Sequence, residues 1–257
     1  LSYRWPKMWM IFKLLILVLL LTSCGTNKTL QVGIENNLKP LSYVENEEKK
    51  GFEVELWDAI AEEAGFEYKL QPMGMGEMLQ AVESGKLDVA IAGITVKGDR
   101  VRKLDFAIPY YDTGLVLVTA ADNQDIQSTK DLDKKVVATR IGTTGYEYIG
   151  RQKGIKEVKA YPDIAQAYQA LINKQVDAVV FDEPNVKYFI RNGGQGKVKT
   201  VGKVLTNEQY GIALTKKSNY TGRISRALET LAKNGTYERI YMKWFNEKPT
   251  SLPGDKE

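Results

Sequence analysis

The chain has 257 residues, 43% of them hydrophobic and 26% charged, with a formal net charge of +4, one cysteine and no histidine. That length and mixture describe an ordinary globular protein with one large or two modest cores. Without histidine there is no His-based triad, no His general base and no common zinc site, and a single cysteine forms no internal disulfide, so no cofactor or metal is expected.

The amino-terminal stretch carries Arg4, Lys7 and Lys13, then an unbroken apolar run from Leu14 to Leu21, then Thr22-Ser23-Cys24. A basic segment, a brief apolar core and small residues have the layout of a secretory signal. A spanning helix needs roughly 20 apolar residues, and Lys13 interrupts this run. Leu21-Thr-Ser-Cys24 resembles the bacterial lipobox, in which cleavage precedes a cysteine that carries lipid. Acyl chains contribute about 0.8 kcal/mol per buried CH₂, so residues 1–23 are read as a lipoprotein signal peptide, Cys24 as the lipid anchor and residues 24–28 as a tether. The protein is therefore expected outside the cytoplasm, held at a membrane face. Losing residues 1–23 removes three cations and leaves the mature chain close to neutral, with no basic field for nucleic acid.

Leu30 to Ile34 reads as a strand. Phe52 to Ala64 has a helical apolar face through Val54, Trp57, Ile60 and Ala61, with Gly65 in the stop position. Tyr68 to Pro72 reads as a strand, Met75 to Glu83 as a helix, and Asp88 to Ala92 as an apolar strand buried on both faces. A second βα series starts at Val136. Glu77-Met-Leu-Gln-Ala-Val-Glu-Ser-Gly-Lys-Leu-Asp88-Val-Ala-Ile-Ala is echoed by Gln166-Ala-Tyr-Gln-Ala-Leu-Ile-Asn-Lys-Gln-Val-Asp177-Ala-Val-Val-Phe, with Gln80 to Gln169 and Asp88 to Asp177 at the same separation. The fold class is α/β, and the echo predicts two similar Rossmann-like lobes with a ligand cleft between them, at the carboxyl ends of the strands.

Gly93-Ile-Thr-Val-Lys-Gly98 has the beginning of a phosphate loop, but Asp99-Arg100 stands where Lys-Ser/Thr is needed, and Asp99 would repel a phosphate. Arg100 instead follows the end of one predicted strand and Asp182 the end of its counterpart. A fixed cation and a fixed anion at equivalent strand ends suit a zwitterion: Arg100 for a carboxylate, Asp182 for an ammonium. Gly93 allows close approach, with its carbonyl free for the ammonium and the Thr95 amide for the carboxylate.

Gly51-Phe-Glu-Val-Glu-Leu-Trp-Asp-Ala-Ile, Leu87-Asp-Val-Ala-Ile-Ala-Gly-Ile-Thr, Arg100 with Asp105-Phe106 and Pro109-Tyr-Tyr, Asp131-Leu, Gly142-Thr-Thr-Gly, Gln209-Tyr-Gly-Ile-Ala-Leu, and Asn234-Gly-Thr-Tyr-Glu-Arg-Ile-Tyr-Met-Lys-Trp-Phe together carry a resemblance. From about Thr29 to Glu247 the chain resembles the polar amino-acid family of periplasmic solute-binding proteins, most of all the glutamine binders of ATP-binding-cassette (ABC) importers. The resemblance implies a type II periplasmic-binding-protein fold. Lobe 1 would comprise 29–109 plus 211–247 and lobe 2 115–205, with hinge crossings at 110–114 and 206–210; the composition of the remaining end, 248–257, separately reads as a loose tail.

By the same resemblance, Arg100 and the amides of Thr95 and Thr144 hold the α-carboxylate, while Asp182 and the Gly93 carbonyl hold the α-ammonium. Side-chain selectivity falls to Glu35, Leu38, Met75, Arg140 and Phe181, which replace an acid, two aromatics, a lysine and a histidine. Glu35 accepting from an amide and Arg140 donating to its oxygen suit glutamine. Two alternatives stand beside it: Arg140 recruiting glutamate, or a Glu35–Arg140 pair with no ligand role. The implied partners are one amino acid and a membrane permease, with the protein itself a monomer and not an enzyme. A lyase of the same fold would need a catalytic group, for which Glu35 is the candidate; a sensor would need a further domain, and none is expected beyond Trp244-Phe245.

Overall fold

The computed structural model describes residues 28–255. The segment read as a signal peptide, residues 1–23, and the expected lipid anchor Cys24 lie outside the described residues. No helix among the described residues is long and apolar enough to cross a membrane.

The first lobe opens with β1 (Leu30–Glu35) and a small antiparallel meander, β2 (Asn37–Leu38), β3 (Ser42–Glu45) and β4 (Glu48–Lys50). Helix α1 (Phe52–Ala64) follows, stopped by Gly65 in the left-handed conformation with its N–H on the carbonyls of Ala61 and Glu62. Next come β5 (Tyr68–Met73), α2 (Met75–Glu83), β6 (Val89–Ala90), α3 (Gly98–Lys103) and β7 (Leu104–Phe106). The expected five-residue strand at Asp88 to Ala92 is only two residues long, because beyond Ala90 the chain leaves the ladder to form a wall of the cleft.

Strand β8 (Tyr111–Thr113) crosses to the second lobe, which contains β9 (Leu115–Ala120), β10 (Val136–Arg140), α4 (Thr144–Gly150), β11 (Glu157–Tyr161), α5 (Ile164–Ile172), β12 (Ala178–Asp182), α6 (Glu183–Phe189) and β13 (Val198–Val201). Strand β14 (Glu208–Tyr210) crosses back and pairs antiparallel with β8, Tyr210 opposite Tyr111. The crossings approach so closely that a Cβ on Gly114 would stand 2.1 Å from the Thr206 carbonyl oxygen. Strand β15 (Ala213–Thr215) rejoins the first sheet, and α7 (Thr221–Lys233) and α8 (Thr236–Phe245) finish the first lobe.

The two sheets have the same plan. Their orders are β5-β1-β6-β15-β7 and β11-β10-β12-β9-β13, three parallel strands, then one antiparallel strand, then an edge strand that runs with the first three. The echo in the sequence has a physical counterpart here. Asp88 Oδ2 accepts from the Gln31 N–H at 2.9 Å, and Asp177 Oδ2 accepts from the Val136 N–H at 2.7 Å. In both lobes an aspartate just before a central strand caps an otherwise unpaired backbone donor at the start of its parallel neighbour. The expectation of two similar α/β lobes on a two-segment hinge therefore holds.

Beneath the hinge lies an aromatic knot. Phe52 packs edge-on against Tyr111, Tyr237, Tyr241 and Phe245, with ring centroids 5.1 to 6.0 Å apart, and Tyr111 stacks on Tyr210 at 5.7 Å. Such pairs add about 0.5–1.5 kcal/mol each beyond the area they bury, and here they tie α1 and α8 to both crossings. The carboxyl-terminal segment is not the loose tail expected from its composition. Pro253 is buried, Leu252 packs on the core, and the Ser251 hydroxyl donates to Asp112 on the back of the hinge. Its short polar sequence hid this, since one leucine and one proline suffice when the hinge offers an acceptor.

Candidate functional site

Each central strand delivers its end to the cleft. In the first lobe β6 ends at Ala90, and the chain turns at Gly93, whose φ of +59° is a conformation that favours glycine. A Cβ there would also press on Leu38 and Leu41, each at 3.2 Å. Arg100 reaches back from α3 to donate to the Thr95 carbonyl at 3.1 Å. In the second lobe β12 ends on Asp182. Thr144 is the first residue of α4, where a backbone N–H has no acceptor within the helix.

Leu38, Met75, Gly93, Thr95, Arg100, Arg140, Thr143, Thr144, Phe181 and Asp182 line one small cavity between the lobes. Nine of these ten residues are the ones singled out from the sequence; Thr143 is the addition. Glu35 does not line it. That side chain is fully buried behind Arg140, and its Oε1 accepts from Arg140 Nη2 at 2.7 Å. Arg140 is further held by its Nε–H on the Pro162 carbonyl at 3.2 Å. Of the three readings of these two residues, the direct ion pair is the contact present. A wider groove flanks the cavity, lined by Lys97, Glu147, Tyr148, Arg151 and Glu208 among others.

The charges are strongly conditioned by burial. Desolvation pushes Asp182 up to about 7, although a hydrogen bond from the Tyr210 hydroxyl to its Oδ2 at 2.7 Å opposes the shift. Its Oδ1 has no hydrogen-bond partner among the described residues, and neither has Glu35 Oε2. Burial likewise raises Glu35, against the attraction of Arg140, and lowers Arg100, against the nearby acids. Arg100 stays charged nonetheless, since a guanidinium starts so far above neutrality.

Several residues given no role from the sequence belong to this machinery. Glu53, second in α1 and fully buried, accepts from the Gly93 N–H at 2.6 Å, from the Ser42 hydroxyl at 3.0 Å and from the Tyr110 hydroxyl. It therefore fixes the backbone at the turn that Gly93 makes, and burial raises it to about 7. A signal for it existed: Glu53, Leu56, Trp57 and Ile60 share a helical stripe, which places an acid among core positions. Further contacts join the lobes around the cavity. Lys97 pairs with Glu147, Asn37 donates to Asp163, and Asn185, held by the Tyr168 hydroxyl at 2.7 Å, donates to the Lys39 carbonyl at 2.6 Å.

Comparison with known proteins agrees with this architecture. The model of bacterial extracellular solute-binding proteins, family 3, matches residues 30–247. The arginine-binding extracellular protein ArtP of Bacillus subtilis (strain 168) is 30% identical over 240 residues, covering 88% of this chain and 92% of ArtP. The GluR0 ligand-binding core from Nostoc punctiforme, in complex with L-glutamate, superposes with a TM-score of 0.79 at 37% identity, covering 85% of this chain and 100% of that one. An ancestral arginine-binding protein bound to glutamine gives a TM-score of 0.80 at 35% identity, covering 85% and 98%. The chain belongs to the family 3 bacterial extracellular solute-binding proteins. It is a binding protein and not an enzyme, like the relatives it matches.

Proposed function

We propose that this protein captures a polar L-amino acid, glutamine by preference, by closing its lobes, and delivers it to the permease of an ABC importer. The observation that carries the reading is the charge layout of the cavity. Arg100 and Asp182, from opposite lobes, supply one cation and one anion for the two charges of an α-amino acid. Thr95 and Thr144 add amides for the carboxylate, and Gly93 adds a carbonyl for the ammonium. Leu38, Met75 and Phe181 surround the ligand's aliphatic stem.

The choice of glutamine follows from the Glu35–Arg140 pair. Because Glu35 neutralises Arg140 at 2.7 Å, the side-chain end of the cavity has no net charge. A second buried ion without a partner would carry a desolvation penalty of several kcal/mol, so an uncharged amide suits this end better than a carboxylate or a guanidinium. Arg140, on the cavity wall, donates to the amide oxygen, and Glu35 acts from behind it by cancelling its charge. Leu38 and Met75 provide no aromatic faces for a guanidinium to stack on. Ancestral arginine-binding proteins of this fold are solved both with glutamine and with arginine, so the fold accommodates either and the choice rests on the charge of the pocket.

Leu21-Thr-Ser-Cys24 supports secretion and lipid attachment at Cys24, which would hold the protein on the outer face of the cell membrane beside its permease. Calorimetric titration of the chain lacking residues 1–23 against the common amino acids tests the ligand. Glutamine binding well above the others is the expected result; tight binding of arginine or cystine with none of glutamine would overturn the assignment.

A further inference from the structure

Resting on the reading that the cleft clamps an amino acid by its carboxylate, we infer that Glu208 is a positioning residue that ties both halves of that clamp to the hinge and so governs ligand release. Glu208 opens β14, directly opposite Thr113 of the other crossing. Its Oε2 accepts from the Thr95 hydroxyl at 3.0 Å and from the Thr144 hydroxyl at 2.9 Å. Its Oε1 accepts from the Thr206 hydroxyl at 3.0 Å, and Thr206 in turn accepts from the Leu115 N–H at 2.9 Å. One carboxylate thus collects hydroxyls from the first lobe, the second lobe and the hinge.

Glu208 is absent from the cavity wall that holds Thr95, Thr144, Arg100 and Asp182, and lies in the groove alongside. It acts through the two threonines, orienting residues that touch ligand without touching it itself. Hydrogen bonds to an ionised acceptor are about twice as strong as neutral ones, so the pair of threonine contacts is a substantial interlobe tie. When the lobes part, Thr95 and Thr144 separate, and a single oxygen no longer reaches both hydroxyls. Opening therefore costs Glu208 a charge-assisted bond whether or not ligand is present. The carboxylate biases the empty cleft toward closure and slows escape from the filled one.

The test has two readouts on the chain lacking residues 1–23. The first is the interlobe distance of the unliganded protein, by spin labels at Lys69→Cys and Lys156→Cys in a Cys24→Ala background. The second is stopped-flow dissociation of L-glutamine. Glu208→Ala is expected to lengthen the unliganded distance and to raise the dissociation rate about tenfold or more, with the association rate little changed. Glu208→Gln, which keeps one acceptor oxygen and the shape, should restore part of both and guards against loss of folding. Thr144→Val should speed release in the wild-type background and have no further effect beside Glu208→Ala. Wild-type distance and release in both Glu208 variants, or full additivity with Thr144→Val, would overturn the inference. Failure of the underlying reading looks different: Arg100→Ala would then bind L-glutamine normally, or no amino acid would bind, while the distance measurement still reports whether Glu208 ties the lobes.

Discussion

The hydroxyl of Tyr210 donates to Asp182 across 2.7 Å, so the acid that ends the central strand of the second lobe is held by a residue of the hinge. Burial raises this acid from its usual 3.8 to about 7. An ammonium pairs only with the ionised form, so below about pH 7 binding must expel a proton, and affinity should fall by up to about tenfold per pH unit. Calorimetry in buffers of different ionisation heat should show proton release on binding near neutrality. Without ligand the sign is opposite. A carboxyl raised on folding favours the protonated folded state, so its contribution to stability is full below the ordinary carboxylate range and is lost as pH rises toward about 7. Asp182→Asn should therefore raise the melting temperature of the unliganded protein on the alkaline side while weakening binding.

Among the described residues, the cavity wall carries two cations, Arg100 beside Thr95 and Thr144, and Arg140, which is already paired. Arg100→Ala should weaken every amino-acid ligand by about 2–5 kcal/mol, because a desolvated carboxylate is left without its partner. Arg100→Lys should also lose most of the affinity, since an ammonium cannot reproduce the planar fork. Titration of both variants against the same ligand checks this, and near-native binding by Arg100→Ala would place the carboxylate elsewhere.

Glu35→Gln removes the charge that compensates Arg140 while preserving shape and a hydrogen-bonding oxygen. The side-chain end of the cavity then becomes cationic, and the preference for glutamine over glutamate should narrow or reverse. Arg140→Met should weaken both ligands, glutamate more, and should also destabilise the fold by about 3–5 kcal/mol by stranding Glu35 as an unpaired buried acid. Competition titration gives the ligand ratio, and denaturant melts give the stability. A ratio unchanged in both variants would make the pair purely structural.

Glu53 offers a separate check on stability. Glu53→Gln retains an oxygen for Gly93 and Tyr110 and presents an amide to the Ser42 oxygen, so it should fold with near-native stability and lose one component of the pH dependence. Glu53→Ala leaves these groups without their acceptor in the core and should cost about 1–3 kcal/mol or more. It should also loosen ligand binding through Gly93. Equal stability of the two variants would show that the network is dispensable.

Cys24→Ala should leave folding and ligand affinity unchanged, because the family match begins at residue 30, and should abolish incorporation of labelled palmitate. Label retained in the variant would exclude lipid attachment at this position.

Much of the architecture is local chemistry and was legible in the chain. The apolar spacing of Phe52 to Ala64 and Met75 to Glu83 defined two helices whose limits the structure reproduces, because amphipathic period and a glycine stop are properties of contiguous residues. The repeat around Asp88 and Asp177 signalled two lobes of one plan, and Asp182 at one strand end with Arg100 on the helix after the other marked the cleft. Three-dimensional packing decided the rest. Glu35 and Arg140 meet only because the lobes face one another across the hinge, and no periodicity encodes that rotation. Glu53, marked in the sequence only by its place on an apolar stripe, and Glu208, within the expected second crossing, take their roles when the fold surrounds one with three donors and the other with three threonines. The carboxyl-terminal strap looked polar and short, yet it docks where Asp112 and the hinge offer a partner. Burial of a polar group is decided by what the remainder of the chain brings to it, and for these residues every partner but one lies on a different element of the fold.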